Sequence, residues 1–251
     1  MKSALMSTLE SVLRTVLTIV VMIVLTVSMV ALLLLAVLFR VRRGPGSVYQ
    51  RLPRIWSRAI LWSAGVTLTV HGRAHVERGG PFIFTSNHVS LIDIPALVLT
   101  LPQHYFVAKA ELFNVPIFGP GIRAVGAIPI RRDNQRAAMG AYDIAVERVH
   151  EGASVIVFPE GTRGTSYPIR AFKKGPFVFA LNAAVPVVPV IVHGTIEVLP
   201  KNTILVQPGR VDVHILEPIL TSGLGYGDRD ALAQQVHNSM ASAMTDLYSN
   251  Q

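Results

Sequence analysis

The sequence predicts an α/β protein: a layered domain with a central, mostly parallel or mixed β-sheet flanked by helices, preceded by an N-terminal membrane helix and an interfacial amphipathic helix. Short apolar runs alternate with longer segments of helical periodicity from residue 65 onward, which is typical of layered strands and helices. One long uncharged apolar run lies near the N-terminus, and arginines at helical spacing follow it. The predicted organisation is therefore a membrane-associated region at 1–64 and one α/β domain at 65–251.

The first element is the apolar run from Thr15 to Phe39, which holds twenty-five residues without a charge. About 20 apolar residues span the hydrocarbon core of a bilayer, so a membrane helix is expected. A cleavable signal peptide is disfavoured because the run is too long and because Arg40, Arg42 and Arg43 follow it. By the positive-inside rule, these arginines predict that the α/β domain lies on the cytoplasmic side. The membrane expected is the cell inner membrane. Whether the helix crosses the bilayer or enters one leaflet stays open.

The second element is a helix predicted over 47–64. Arg51, Arg54 and Arg58 recur on one face, and two tryptophans and several aliphatic residues occupy the others. This pattern favours a helix at the lipid headgroup boundary. The alternative is a helix packed on the domain, with the arginine stems lying along its surface.

The strands and helices of the domain follow in order. Short runs rich in Val, Ile, Phe and Tyr, bounded by turn residues, predict strands at Gly65 to Val70, Phe82 to Thr85, Tyr105 to Ala108, Ala127 to Ile130, Val155 to Phe158, Val187 to Ile191 and Val211 to Leu216. Helical periodicity predicts helices from Pro95 through Leu101, at Asn134 to Glu151, at Phe172 to Ala183 and at Asp228 to Tyr248.

Composition excludes several classes of site. The chain has no cysteine, which removes disulfides, thiolate metal sites and thiolate nucleophiles. Residues 40–174 carry 18 Lys and Arg against 8 Asp and Glu, whereas residues 175–251 carry 3 against 6. The basic part adjoins the membrane segment, which favours anionic lipids and phosphate esters as partners. Nucleic acid is not expected, because no nucleic-acid-binding motif is present.

One histidine and one aspartate stand five positions apart directly after the second predicted strand. A carboxylate at Asp93 could hold one ring nitrogen of His88, leaving the other free to take a proton from a hydroxyl. This spacing also arises by chance, and Asp93 could simply cap the following helix beside a satisfied His88. No second histidine lies at metal-ligand spacing from His88, so no metal is expected there.

A second cluster, Phe158 to Arg163, follows the fifth predicted strand. Arg163 could bind a phosphate bidentately, and Glu160 could order the turn by accepting hydrogen bonds from the backbone or from Thr162. Gly161 would let a ligand approach the backbone closely. The alternative is an ordinary turn after a buried strand, with Arg163 in solvent. Together with the basic positions Lys109, Arg131 and Arg132, the two clusters predict a general base beside an anion site.

These motifs resemble those of the lysophosphatidic acid acyltransferase family, one of the glycerolipid acyltransferases with an N-H-x4-D motif. The resemblance extends from about Pro81 to Gly194 and follows the family's order of blocks. The four blocks are Asn87-His88 to Asp93, Lys109 to Arg132, Phe158 to Arg163, and Val185-Pro186-Val187-Val188-Pro189.

The resemblance implies acyl transfer from acyl-CoA or acyl carrier protein to the sn-2 hydroxyl of 1-acyl-glycerol-3-phosphate, giving phosphatidic acid at a membrane. No cofactor or metal is implied, since the acyl thioester is a co-substrate. The residues implied are His88 and Asp93 as catalytic groups, and Lys109, Arg132, Glu160, Gly161, Thr162 and Arg163 as substrate-binding groups.

Two departures from the family pattern concern the acceptor. Many relatives have an acid where this chain has Arg131, and often serine where it has Gly164. Glycerol-3-phosphate, another lysophospholipid or a lyso-aminolipid therefore remain alternative acceptors. A non-catalytic membrane module that binds anionic lipid is the alternative from a different class.

Overall fold

The computed structural model describes residues 2–44, 46–77, 79–131 and 135–249. Its first element, α1, is a helix over Lys2–Leu38, and α2 follows at Val48–Ser63. Within the described residues, α1 is the one helix long and apolar enough to cross a membrane, over Thr8–Leu38. Both predicted N-terminal helices are present, and the first begins well before the apolar run.

The domain is built on one seven-stranded sheet. Its neighbouring strands are parallel except for one antiparallel pair, β6 with β7, so the predicted mixed sheet is confirmed. The spatial order is β1-β7-β6-β2-β5-β3-β4. The strands are β1 Val66–His71, β2 Ile83–Ser86, β3 His104–Lys109, β4 Ile128–Ile130, β5 Ser154–Val157, β6 Val187–His193 and β7 Gly209–Ile215.

Helices cover both faces of the sheet. They are α3 Ala74–Glu77, α4 Asp93–Thr100, α5 Phe118–Ala124, α6 Gln135–His150, α7 Gly175–Ala183, α8 Thr195–Val198 and α9 Arg229–Ser249, with 3-10 turns at Ala110–Asn114 and Tyr226–Asp228. The prediction missed α3, α5 and α8, because four to seven residues are too few to show helical periodicity. It started α7 three residues early, since that helix begins at Gly175 with Pro176 in its first turn.

Two apolar cores lie on opposite sides of the sheet. The neighbours Val155 and Ile156 of β5 are both fully buried, one in each core, because successive strand residues face opposite ways. Leu97 of α4 packs in the core with Ile156. Phe177 of α7 and Met240 of α9 pack in the core with Val155.

α1 lies against the domain over much of its length. Ser11 Oγ donates to Gln207 Oε1 at 2.5 Å, and Thr15 Oγ1 accepts the Val206 amide at 2.8 Å. Further along, Leu33 is completely buried. The helix therefore buries Ser11, Thr15 and Thr18 against the domain and leaves many of its large apolar side chains exposed.

Strand direction determines where the motifs meet. β2, β3, β4, β5 and β6 all run the same way, so their carboxyl ends lie along one edge of the sheet. The first three sequence blocks lie at these ends, whereas the fourth, Val185 to Pro189, enters β6 at the opposite edge. Ligand sites of α/β sheets commonly lie at the edge formed by the carboxyl ends.

Candidate active site

The structure brings His88 and Asp93 together at the end of β2. Nδ1 of His88 lies 2.7 Å from Oδ2 of Asp93. The Asp93 side chain is completely buried, whereas 13% of the His88 side chain is exposed. A carboxylate can only accept, so Nδ1 carries the proton of the neutral imidazole and Nε2 carries the lone pair. Within the described residues, Nε2 of His88 has no hydrogen-bond partner.

Asp93 is fixed by donors on both oxygens. Oδ2 also accepts the backbone amides of Val89 at 2.8 Å and Ser90 at 2.9 Å. Oδ1 accepts from Thr195 Oγ1 at 2.5 Å, and Thr195 is completely buried. These four donors satisfy the hydrogen-bonding capacity of both oxygens of the buried carboxylate. The carboxylate is thus a rigid acceptor for His88.

Asn87 anchors the same turn to the neighbouring strand. Its Nδ2 donates to the Val192 carbonyl at 2.9 Å, and its Oδ1 accepts the Val192 amide at 2.8 Å. The side chain continues the β2–β6 pairing where β2 has ended, and it is buried. Asn87 therefore holds the start of the turn that carries His88.

Phenylalanine supports one face of the His88 ring. The ring of Phe158 stacks on it with centroids 4.2 Å apart and planes 19° apart. Phe106 stacks behind Phe158, and His104 contacts Phe106 edge-on. Burial, with a smaller contribution from the positive charge of Arg54, lowers the pKa of His104 to about 4. His104 therefore acts as a neutral ring in this aromatic row.

The loop after β5 is tied directly to His88. Oε1 of Glu160 accepts the His88 amide at 3.2 Å, and Oε2 accepts from Arg170 Nε at 2.6 Å. The Gly164 amide donates to the His88 carbonyl at 2.7 Å. Arg170 also donates to the Thr162 carbonyl. Glu160 is 3% exposed, so it holds two loops together instead of presenting a charge to solvent.

Gly161 provides the turn that this loop requires. Its φ of +81° lies in the left-handed region, which L side chains rarely adopt. An added Cβ would lie 3.5 Å from Cγ of Lys173. The backbone conformation therefore restricts this position to glycine more than lack of space does.

The predicted basic residues lie at or after the carboxyl ends of strands, at the sheet edge that also carries His88. Lys109 is exposed at the end of β3, 3.2 Å from Glu111, and in register with Ile130 of β4. Arg131 follows that strand and is exposed, whereas Arg132 lies outside the described residues. Arg163 follows Thr162, and its carbonyl accepts from Lys201 at 2.9 Å. The structure therefore places three of the four predicted basic residues on neighbouring strand ends.

Three residues of the site had no signal in the sequence. Thr195, Arg170 and Tyr167 lie 102, 10 and 27 residues from the groups they bind, which are Asp93, Glu160 and Gly194. The Tyr167 hydroxyl accepts the Gly194 amide at 2.7 Å and donates to Glu197. Burial and the Glu197 carboxylate raise the pKa of Tyr167. These three residues meet their partners only in the folded chain, so no local sequence motif indicated them.

Comparison with known proteins agrees with this arrangement. A sequence model of a family described as Acyltransferase matches residues 67–193, which include the His88–Asp93 pair and the loop after β5. The chain belongs to the acyltransferase family. The resemblance inferred from the four blocks is thereby confirmed.

Two relatives show how far the similarity extends. The chain is 36% identical over 167 residues to a chloroplastic 1-acyl-sn-glycerol-3-phosphate acyltransferase from Brassica napus, covering 65% of this chain and 46% of the relative. It is 30% identical over 218 residues to the alpha enzyme of the same name from Ovis aries, covering 86% and 76%. The chain thus spans about half the length of the chloroplastic relative and most of the animal one.

A solved structure has the same acyltransferase fold. The crystal structure of the 1-acyl-sn-glycerophosphate (LPA) acyltransferase PlsC from Thermotoga maritima superposes with a TM-score of 0.80 at 26% sequence identity. The match covers 96% of this chain and 97% of that one. It therefore includes the N-terminal helices as well as the sheet.

Proposed function

We propose that this acyltransferase moves a fatty acyl group from an acyl thioester to the sn-2 hydroxyl of 1-acyl-glycerol-3-phosphate, giving phosphatidic acid. The observation that carries the proposal is the 2.7 Å contact between His88 Nδ1 and the fully buried Asp93. It leaves Nε2 as a base at the sheet edge where the basic residues lie. The names of the relatives support the choice of acceptor.

The proposed reaction is a direct transfer. Nε2 of His88 takes the proton of the acceptor hydroxyl while that oxygen attacks the thioester carbonyl carbon. The tetrahedral intermediate then collapses, the carbon–sulfur bond breaks, and the imidazolium returns the proton to the leaving thiolate. Asp93 stays ionised and stabilises the imidazolium between these steps. No enzyme nucleophile is required, in agreement with the absence of cysteine.

The acceptor phosphate would lie on the cations at this edge. Arg163 and Arg132 can each offer a planar fork of donors, and Lys109 adds a point charge. Gly161 and Thr162 would contribute by shaping the turn that precedes Arg163, because the Gly161 amide already donates to the Phe158 carbonyl at 3.0 Å. Glu160 would contribute by positioning, because both of its oxygens already bind protein donors.

A thiol-release assay tests the proposed reaction. Because the chain has no cysteine, a thiol-reactive chromophore reports only the coenzyme A that is set free. We expect release from a long-chain acyl-CoA with 1-acyl-glycerol-3-phosphate, and little with glycerol-3-phosphate or lysophosphatidylcholine. Equal release without an acceptor would indicate a thioesterase. No release from acyl-CoA or from acyl carrier protein with any acceptor would favour a non-catalytic lipid-binding module.

Replacing Arg163 by alanine should weaken acceptor binding. We expect the KM for lysophosphatidic acid to rise about 10-fold or more, since a charged hydrogen bond contributes about 1.5–3 kcal/mol. The KM for acyl-CoA and kcat should change little, as measured by steady-state kinetics in both substrates. Arg136→Ala, which removes an exposed arginine on α6, is the control. An unchanged acceptor KM would assign the phosphate to other residues.

Replacing Thr195 by valine should lower kcat through Asp93. The change removes the hydroxyl that donates to Asp93 Oδ1 and leaves the shape of the side chain. We expect a fall of about 10-fold in kcat with little change in either KM, because one charged hydrogen bond is lost. Thr195→Ser restores the donor and should recover most of the rate. If kcat fell equally in both variants, the effect would come from packing, and the Thr195 hydroxyl would not position Asp93.

The contacts of α1 support a location in one leaflet of the membrane. Ser11 and Thr15, near the start of α1, bind the segment that precedes β7. Leu33, near the end of α1, is buried. A helix attached in this way along its length would carry the domain into the bilayer if it crossed. We therefore propose that α1 and α2 lie in the cytoplasmic leaflet of a cell inner membrane, with the site facing the lipids.

A further inference from the structure

A second cluster of ionisable side chains lies on β1 and β7, apart from the acyl-transfer site. His71 is in register with His214, and Asp212 stands two positions before His214. Residues two apart on a strand share a face, so all three side chains project from one side of the sheet. One ligand atom from each, taken together, lies within 4.8 Å of the other two.

We propose that His71, Asp212 and His214 bind a divalent transition-metal ion of the zinc type. Two imidazoles and one carboxylate are ligands that Zn²⁺ and its neighbours prefer. Ligands bound to tetrahedral zinc are about 3.4 Å apart, given metal–ligand distances near 2.1 Å. The three atoms lie within 4.8 Å of one another, so they must approach by at most about 1.4 Å, and the rings must also reorient to share one ion.

The state of each side chain is compatible with binding. Nε2 of His214 is buried and has no hydrogen-bond partner within the described residues. Nε2 of His71 already lies 3.1 Å from Asp212 Oδ1. The cluster thus contains a buried ring nitrogen that has no hydrogen-bond partner in the part of the chain that the structure describes.

Two local changes would accompany binding. The His71 and His214 rings are stacked 4.2 Å apart with planes 9° apart, and parallel rings cannot both point a lone pair at one ion. His71 must therefore turn, for which its 44% exposure leaves room. Arg210 must also release Asp212, whose oxygens it contacts at 3.0 and 3.2 Å. Arg210 is 66% exposed and its ion pair is correspondingly weak.

The competition with Arg210 gives the proposal a distinctive test. Metal-free protein, purified without a histidine tag, is titrated with Zn²⁺ by calorimetry, and with Co²⁺ by visible absorption. We expect one site per chain, with affinity falling at least about tenfold in His71→Ala and in His214→Ala. Arg210→Ala should bind more tightly than the native chain. His150→Ala, which removes an exposed imidazole on α6, should bind as the native chain does.

Other results would overturn the proposal. Absence of stoichiometric binding in native protein and in Arg210→Ala would exclude the site, as would equal binding in all the histidine variants. Thermal unfolding with and without Zn²⁺ gives an independent readout, because a ligand that binds only the folded state raises Tm. None of these measurements uses acyl transfer, so failure here leaves the proposed function untouched. Local spacing joins only Asp212 and His214, because His71 lies 141 residues before Asp212.

Discussion

Replacing His88 by alanine is expected to reduce acyl transfer by about 10²- to 10⁴-fold, the range that a positioned general base contributes. The loss should fall on kcat, because no substrate contact other than proton transfer is assigned to the ring. The fold should survive, since the His88 backbone amide and carbonyl remain bound to Glu160 and Gly164 and Asp93 keeps three other donors. Steady-state kinetics measures the loss in kcat, and circular dichroism checks that the variant is folded.

A surface histidine gives the matched control for this experiment. His150→Ala removes an exposed imidazole from the end of α6 and should retain full activity. If His88→Ala remained fully active, the histidine would not be the base, and the mechanism would have to be abandoned even if the chain proved to be an acyltransferase.

Replacing Asp93 by asparagine is expected to cause the second large loss, also about 10²- to 10⁴-fold in kcat. Asparagine presents an NH₂ group to a site where His88, Val89, Ser90 and Thr195 all donate. Two donors then face one another, and His88 is no longer held with Nε2 as the lone-pair atom. The same clash should lower the free energy of unfolding by about 1–3 kcal/mol.

A double variant separates orientation from general destabilisation. If His88 and Asp93 act as one unit, His88→Ala with Asp93→Asn should be no slower than the slower single variant. Asp143→Asn, at an exposed carboxylate on α6, should leave both rate and stability unchanged. Multiplicative losses in the double variant would show that Asp93 acts independently of His88.

Sequence patterns predicted most of the fold because they are local. The β-branched runs and their turn residues placed seven strands, and the apolar run before Arg40 placed α1. The direction of the strands was not local information: β7 runs antiparallel to β6, which only the assembled sheet defines. The helices α5 and α8 were also not predicted, because they are too short for a periodic signal.

The candidate site was predictable where its residues share a motif. His88 and Asp93 are five positions apart, and the structure joins them by a hydrogen bond. Thr195 could not be predicted, since it reaches Asp93 only because β6 pairs with β2. Glu160 was expected to accept hydrogen bonds from the backbone or from Thr162, and the backbone amide it accepts belongs to His88 in another loop, with Arg170 as its second donor. Catalytic and substrate-binding roles for all of these residues stay predictions.

The most direct test of the central claim is product analysis with purified protein in detergent. The protein is incubated with 1-acyl-glycerol-3-phosphate and an isotopically labelled long-chain acyl-CoA, with His88→Ala in parallel, and lipids are identified by mass spectrometry. We expect phosphatidic acid labelled at the sn-2 position from the native chain, and almost none from the variant. Labelled phosphatidic acid in equal amounts from both proteins would contradict the role of His88, and its absence from both, with acyl carrier protein donors also tested, would contradict the proposed reaction.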